Sequence, residues 1–268
     1  MKSGIRLVNT EAYLKRINYT GSLAPTAETL RNLQVAHLRT VPFENLSIHL
    51  GEPIVLEDDA LFAKIVEKRR GGFCYEANGL FAALLRSLGY EVAMLSAGVA
   101  GDQGDFSPDF DHMCLMVTIG DSSAQRWLVD VGFGDSFLEP LRLEGGEQVQ
   151  GTRAYRIVIS SPYLLLEQRN DGEDWKPQYR FTLQPYAYSA YEERSRFHQT
   201  SPESHFTKGR ICSRFTETGR ISLSEMRFIT TAGSGVNEER AERTLMSDEE
   251  YAEVLRDRFG ITLESVPL

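Results

Sequence analysis

The stretch "RGGFCYEANGLFAALLRSLGYEVAMLSAGV", residues 70–99, changes its apolar period part-way. Ala77, Leu80, Phe81, Leu84, Leu85 and Leu88 recur at intervals of three and four, which predicts one apolar stripe of an α-helix closed by Gly89 as its C-terminal cap. From Tyr90 the period becomes two, as in a strand. Helical spacing dominates upstream, in "NTEAYLKRI" (9–17), "TAETLRNLQVAHLRTV" (26–41, Thr26 as N-cap) and "EDDALFAKIVEKR" (57–69), whose acids lead and bases trail as a helix dipole favours. Downstream, "HMCLMVTIG" (112–120), "RWLVDVGF" (126–133), "AYRIVIS" (154–160) and "YLLLEQR" (163–169) alternate like strands. Then come a connecting helix in "SAYEERSRFHQTS" (189–201) and short strands in "GRICSRF" (209–215), "RISLS" (220–224) and "MRFITT" (226–231). A last helix, "SDEEYAEVLRDRFG" (247–260), carries a capping box of Ser247 and Glu250 and ends at Gly260. Helices first and strands second predict an α+β protein, a helical domain followed by an antiparallel sheet or barrel.

The quoted stretch also places a thiol, Cys74, in the first turn of its helix, where orphan N–H groups and the dipole favour an anion and lower a thiol's pKa. That is half of an activated nucleophile, although a free cysteine is usually a small core hydrophobe. With Cys114 and Cys212 the chain has three cysteines, no even disulfide set and no C-x-x-C pair for zinc, so we expect no metal. Cys114, inside "HMCLMV", and Cys212 read as sheet packing.

A thiolate enzyme needs an imidazole and a group to orient it. Of five histidines, His37 and His49 flank "RTVPFENLSI" and read as structural, while His198 and His205 flank "QTSPES". His112 opens a strand directly after the loop "AGDQGDFSPDFD", a place where a side chain held by a sheet faces a cleft. Asp130 interrupts the apolar run "WLVDVGF", and a carboxylate on a half-buried strand costs several kcal/mol unless paired. If "TIGDSSAQRW" makes a hairpin whose paired residue numbers have an even sum, His112 and Asp130 share a face.

The 268 residues, 41% hydrophobic, can bury a sizeable core. The first residues show no secretory pattern, no run approaches the roughly 18 apolar residues of a membrane span, and cysteines are few, so a cytoplasmic protein without membrane contact is expected. A net charge of -9 without a basic run removes the electrostatic footprint of nucleic-acid binding, while leaving a small anionic ligand open.

Four blocks in order, "HLRTVPFENLSI", "RGGFCYEANGLF", "DHMCLMV" and "VDVGFG", resemble the signature blocks of the arylamine N-acetyltransferases, and "YLKRINYTGSLAPTAETL" and "FHQTSPESHF" resemble further family segments. The resemblance implies transfer of an acetyl group from acetyl-CoA to an enzyme cysteine and then, ping-pong, to an aromatic amine, hydrazine or hydroxylamine. It implies Cys74 as nucleophile, His112 as base and Asp130 as its orienting partner, an arrangement like that of cysteine proteases. It also implies three parts: a helical bundle carrying the cysteine (1–89), a β-barrel carrying His and Asp (90–190) and, after a connecting helix and loop (191–208), an α/β lid (209–268). CoA would approach past Val99, Asp111, Gly132, Phe133 and Phe206, and Phe43, Phe133, Phe197 and Phe206 would suit a flat acceptor. By the same resemblance Glu44 and Arg70 form an ion pair bracing the turn before Cys74; otherwise they are two solvated charges. Ala77 stands where bulkier residues are common, and the mid-barrel insertion of vertebrate members is absent, as in bacterial-type enzymes. Rivals are other Cys-His-Asp thiol enzymes, namely a transglutaminase-like or papain-like hydrolase or an amide synthase of polyketide biosynthesis, and a non-catalytic CoA- or aromatic-binding protein. The oligomeric state is not legible.

Overall fold

The computed structural model describes residues 9–120, 124–233 and 239–264. The start of the chain, where the absence of a secretory pattern was read, and the tip of the "TIGDSSAQRW" hairpin (121–123) lie outside them. The amino-terminal part holds α1 (Thr10–Arg16), α2 (Ala27–Thr40), a two-residue strand β1 (Phe43–Glu44), α3 (Leu46–His49) and α4 (Asp58–Phe62), which runs into a π-helical turn (Ala63–Glu67). Next comes α5 (Cys74–Ser87). Thr26 caps α2 by accepting the Thr29 N–H, and Gly89 follows α5 in the left-handed region at φ +90°. The α5 stripe Ala77, Leu80, Phe81, Leu84 and Leu85 is buried, with Leu88 packed beside it.

Eight antiparallel strands follow: β2 (Glu91–Val99), β3 (His112–Ile119), β4 (Gln125–Val129), β5 (Leu141–Arg142), β6 (Gln148–Gln150), β7 (Arg153–Ser160), β8 (Tyr163–Asn170) and β9 (Lys176–Tyr186). They form one sheet in the order β5-β4-β3-β2-β9-β8-β7-β6. Its two edge strands are joined by side chains: the Gln150 amide oxygen accepts the Leu138 and Glu139 N–H groups and the Gln148 oxygen accepts that of Arg142, so the sheet is a nearly closed barrel. The expected helix α6 (Glu192–Thr200) connects to a second sheet of β10 (Ile211–Phe215), β11 (Gly219–Ser224), β12 (Arg227–Ala232) and β13 (Glu239–Thr244), joined at its edge by β1 in the order β1-β10-β11-β12-β13. The last described elements are α7 (Asp248–Val254) and a π-helical turn to Phe259.

Buried apolar side chains form three clusters, one between α1, α2, α5 and the barrel face of β2–β4, one inside the barrel around Phe137 and Tyr179, and one under α7. Among the described residues no helix is long and apolar enough to cross a membrane.

Three expectations need correction. The strand "RWLVDVGF" stops at Val129, because the Asp130 carboxylate accepts the Gly132 N–H and the Asn78 amide takes the Val131 N–H, so these groups leave the sheet ladder. The capping box of α7 is half formed: Ser247 accepts the Glu250 N–H, but Glu250 reaches back to Met246. The helix expected over 57–69 is α-helical only to Phe62.

Candidate active site

Cys74 is the first residue of α5 and 3% exposed. The two glycines before it are steric requirements, since a Cβ on Gly71 would lie 1.9 Å from the Pro42 carbonyl oxygen and one on Gly72 would lie 2.8 Å from Glu76 Oε2. The freed space is used by two carboxylates. Glu76 folds back to accept the Phe73 N–H at 3.1 Å, and Glu44 accepts the Gly71 N–H at 3.3 Å. Glu44 is fully buried and meets Arg70 twice, at 3.0 Å from Nε and 3.2 Å from Nη2, so the two charges face each other and not solvent.

Beside this turn, His112 opens β3 with Nε2 2.7 Å from Asp130 Oδ2, and both residues are buried. The register Leu115↔Val129 has the even sum that puts them on one face. A carboxylate only accepts, so His112 donates through Nε2 and its Nδ1 is left for another partner. Asn78, one turn after Cys74 on α5, fixes the other oxygen: its Nδ2 donates to Asp130 Oδ1 at 2.9 Å and to the Met113 carbonyl at 2.7 Å. Sequence reading missed Asn78, although its i+4 spacing from the thiol put it on the same face. Phe133 and Tyr179 flank the imidazole with ring centroids 5.1 Å from it. Gly132 permits the approach of thiol helix and barrel, because a Cβ there would lie 2.7 Å from Cys74 Cα.

Opposing influences meet at the sulfur. Burial pushes the Cys74 thiol up; N–H groups of Met113 and Tyr75 favour the thiolate, but the Asp130 and Asp111 charges oppose it.

Cys74 and His112 line the same cleft, of about 480 Å³. Val99, Asp111, Gly132, Phe133 and Phe206 line it too, as does Phe43. Phe197 does not: it lies on α6, where the Arg194 guanidinium covers its ring at 4.0 Å from ring centroid to carbon. The Asp111 carboxylate is occupied by Arg194 and by His198, whose Nε2 is 3.0 Å away; burial raises its pKa, yet these partners hold it well below the usual carboxylate range. His205, in the segment that resembles the family's, lines the cleft beside Phe206, and so does Ile211, which the sequence reading did not single out. His49 bonds the Phe206 carbonyl at 3.0 Å. His37 is buried against the Tyr13 hydroxyl at 2.9 Å and is pushed down to about 3 by burial and then by Arg16. Cys114 and Cys212 are buried and free.

The sequence profile of an N-acetyltransferase family matches residues 26–267. An arylamine N-acetyltransferase of Mycolicibacterium smegmatis is 38% identical over 257 residues, covering 94% of this chain and 91% of the relative. The chain belongs to the arylamine N-acetyltransferase family. Its activity is that of an acyltransferase of this family. The structure of the Mycobacterium marinum arylamine N-acetyltransferase in complex with CoA superposes with a TM-score of 0.85 at 33% identity, covering 94% of this chain and 93% of that one. The family fold reaches further than acetylation of arylamines by name: Proansamycin X synthase of Amycolatopsis mediterranei is 30% identical, covering 92% of this chain and 95% of its own.

Proposed function

We propose that this arylamine N-acetyltransferase moves an acetyl group from acetyl-CoA through Cys74 to aromatic amines, hydrazines or hydroxylamines. The observation that carries this reading is the helix-start thiol sharing one cleft with an imidazole already bonded to a buried carboxylate at 2.7 Å. His112 Nδ1 takes the Cys74 proton, and Asp130 stabilises the imidazolium that results. The thiolate attacks the thioester carbonyl carbon, backbone N–H groups at Cys74 and the helix start receive the oxyanion, and the departing CoA sulfur takes the proton back from His112. In the second half an unprotonated amine attacks the acetyl-cysteine. His112 removes the amine proton, the C–S bond breaks, and Cys74 is regenerated.

The cleft suits both substrates. Phe43, Phe133 and Phe206 offer ring faces to a flat acceptor, and an elongated pantetheine arm fits a cleft lined by Val99 and Gly132. Asp111 acts on the cofactor side through the shape of its loop, since its carboxylate is occupied by Arg194 and His198. In this reading residues 1–89 carry the thiol, 90–190 the base and its partner, 191–208 connect, and 209–268 form the lid; three free thiols suit a reducing cytoplasm. No metal, nucleic acid or membrane takes part.

The deciding experiment is the intact mass of the protein after acetyl-CoA alone, then after addition of an arylamine. One acetyl group on Cys74, discharged by the amine, is expected; no adduct overturns the reading. The relative named for proansamycin X synthesis favours a second reading, an amide synthase that closes amides on a bound acyl chain. An adduct from acetyl-CoA that arylamines do not discharge would select it.

A further inference from the structure

The helix begun at Asp58 does not finish as an α-helix. Over Ala63–Glu67 it widens to a π-helical turn, with the Lys68 N–H bonded to the Ala63 carbonyl five residues back at 2.9 Å. Such bulges re-aim side chains and are frequent at functional sites. Here Lys64 is turned inward, its side chain 15% exposed, while Glu67, Lys68 and Arg69 stay exposed. Its Nζ lies 2.7 Å from Glu76 Oε1 and 4.0 Å from Glu44 Oε1. These are the carboxylates whose other contacts hold the Phe73 and Gly71 N–H groups, on either side of the Gly71–Gly72 turn that delivers Cys74.

We propose that Lys64 is a positioning residue for acyl transfer, the shared cation that keeps both carboxylates gripping the turn before the nucleophile. The inference rests on Cys74 being the acyl carrier. Glu44 has a second cation in Arg70, whereas Lys64 is the one cation bonded to Glu76 among the described residues. Burial raises the Glu76 carboxyl, and Lys64 is the first influence that opposes this. Without Lys64 the buried carboxylate loses its one bonded cation, and its pKa moves further up toward the neutral acid. A carboxylic acid holds the Phe73 N–H less firmly than a carboxylate. The consequence falls on the first turn of α5, where Cys74 and the oxyanion donors sit.

The test is the rate of acetyl adduct formation on mixing enzyme with a range of acetyl-CoA concentrations, read by intact mass, with thermal melting alongside. The wild type must first acquire one acetyl group on Cys74; failure there overturns the proposed function, and the role of Lys64 with it, before any variant is compared. Given that adduct, Lys64→Met should lower the saturating acylation rate roughly ten- to a hundredfold with half-saturation unchanged, as small misplacements of reacting groups do. Lys64→Arg should recover most of it, since a cavity of about 330 Å³ beside Lys64 leaves room for a guanidinium. Lys64→Met combined with Glu76→Gln should also approach the wild-type rate, because an amide oxygen accepts the Phe73 N–H without needing a cation. This double variant decides the matter if Lys64→Met is insoluble. A wild-type rate in Lys64→Met, or no recovery in either companion, overturns the inference.

Discussion

Replacing Arg70 by Met, or Glu44 by Gln, should unfold this protein at markedly lower temperature. Glu44 is fully buried and its carboxylate accepts from Arg70 Nε and Nη2 and from the Leu46 and Gly71 N–H groups at 2.7–3.3 Å. Arg70, 6% exposed at its side chain, donates further to Ser47 and Glu52. Removing one partner leaves the other dry and without its main counter-charge, with only Lys64 at 4.0 Å for Glu44 or the half-exposed Glu52 for Arg70, at about 3–5 kcal/mol, against about 0–1 for an exposed pair. At roughly 2–4 °C per kcal/mol for a chain of this size, the melting point should fall by roughly 6–20 °C. Acid adds a signed check. Burial raises the Glu44 carboxyl, but Lys64 and Arg70 outweigh it and hold the group below its ordinary value. A group depressed in the folded state contributes stability that is present above its unfolded pKa, about 4.3, and lost as pH falls through the folded value. Wild type should therefore lose stability below about pH 4 more steeply than Glu44→Gln. Calorimetry across that range is the assay, and melting points of both variants within error of wild type at pH 7 would refute the reasoning.

Cys74→Ala should remove all acetyl adduct and all turnover without loss of fold, whereas Cys114→Ala, in the barrel core, should lose stability but keep the adduct; equal losses would unseat Cys74. Asp130→Asn keeps the shape but not the charge that stabilises imidazolium, so kcat/KM should drop by up to about 10⁴, and a rate near wild type would remove Asp130 from the mechanism. His112→Ala should move the pH profile of Cys74 alkylation by iodoacetamide upward, past that of a free thiol, because burial, Asp130 and Asp111 all disfavour the thiolate and no imidazolium remains to offset them; coincident profiles would mean His112 does not hold the thiol's proton.

Much of this site was legible because it breaks local rules. A carboxylate in "WLVDVGF" had to find a partner, and strand parity limited which face it could use; His112 lies on that face. The period change at Tyr90 likewise marks the passage from α5 to β2. What stayed hidden depends on contacts distant in sequence. Strand β9 was missed because Pro177 and Pro185 argue against an interior strand, yet both sit near irregularities in its pairing, where a missing N–H is tolerated. Asn78, Lys64 and Glu76 look like the polar side of ordinary helices until the glycine turn folds them inward. Barrel closure through Gln148 and Gln150 leaves no periodic trace at all.

The thiol itself shows where local reasoning ends. Its position at a helix start favours the anion, while the burial that excludes water from the cleft opposes it. On the proposed mechanism this makes ionisation conditional: Cys74 becomes a thiolate when His112 takes the proton, and any measured pKa belongs to the pair. Asp130 then matters twice over, because its charge stabilises the imidazolium while acting directly against the thiolate. The first effect runs through a 2.7 Å hydrogen bond, and the second is a coulombic influence on the sulfur. Asn78 sharpens that balance by drawing on Oδ1 and leaving Oδ2 for the imidazole. The four-residue spacing of Cys74 and Asn78 on one helix thus links the nucleophile's own backbone to the group that tunes its base.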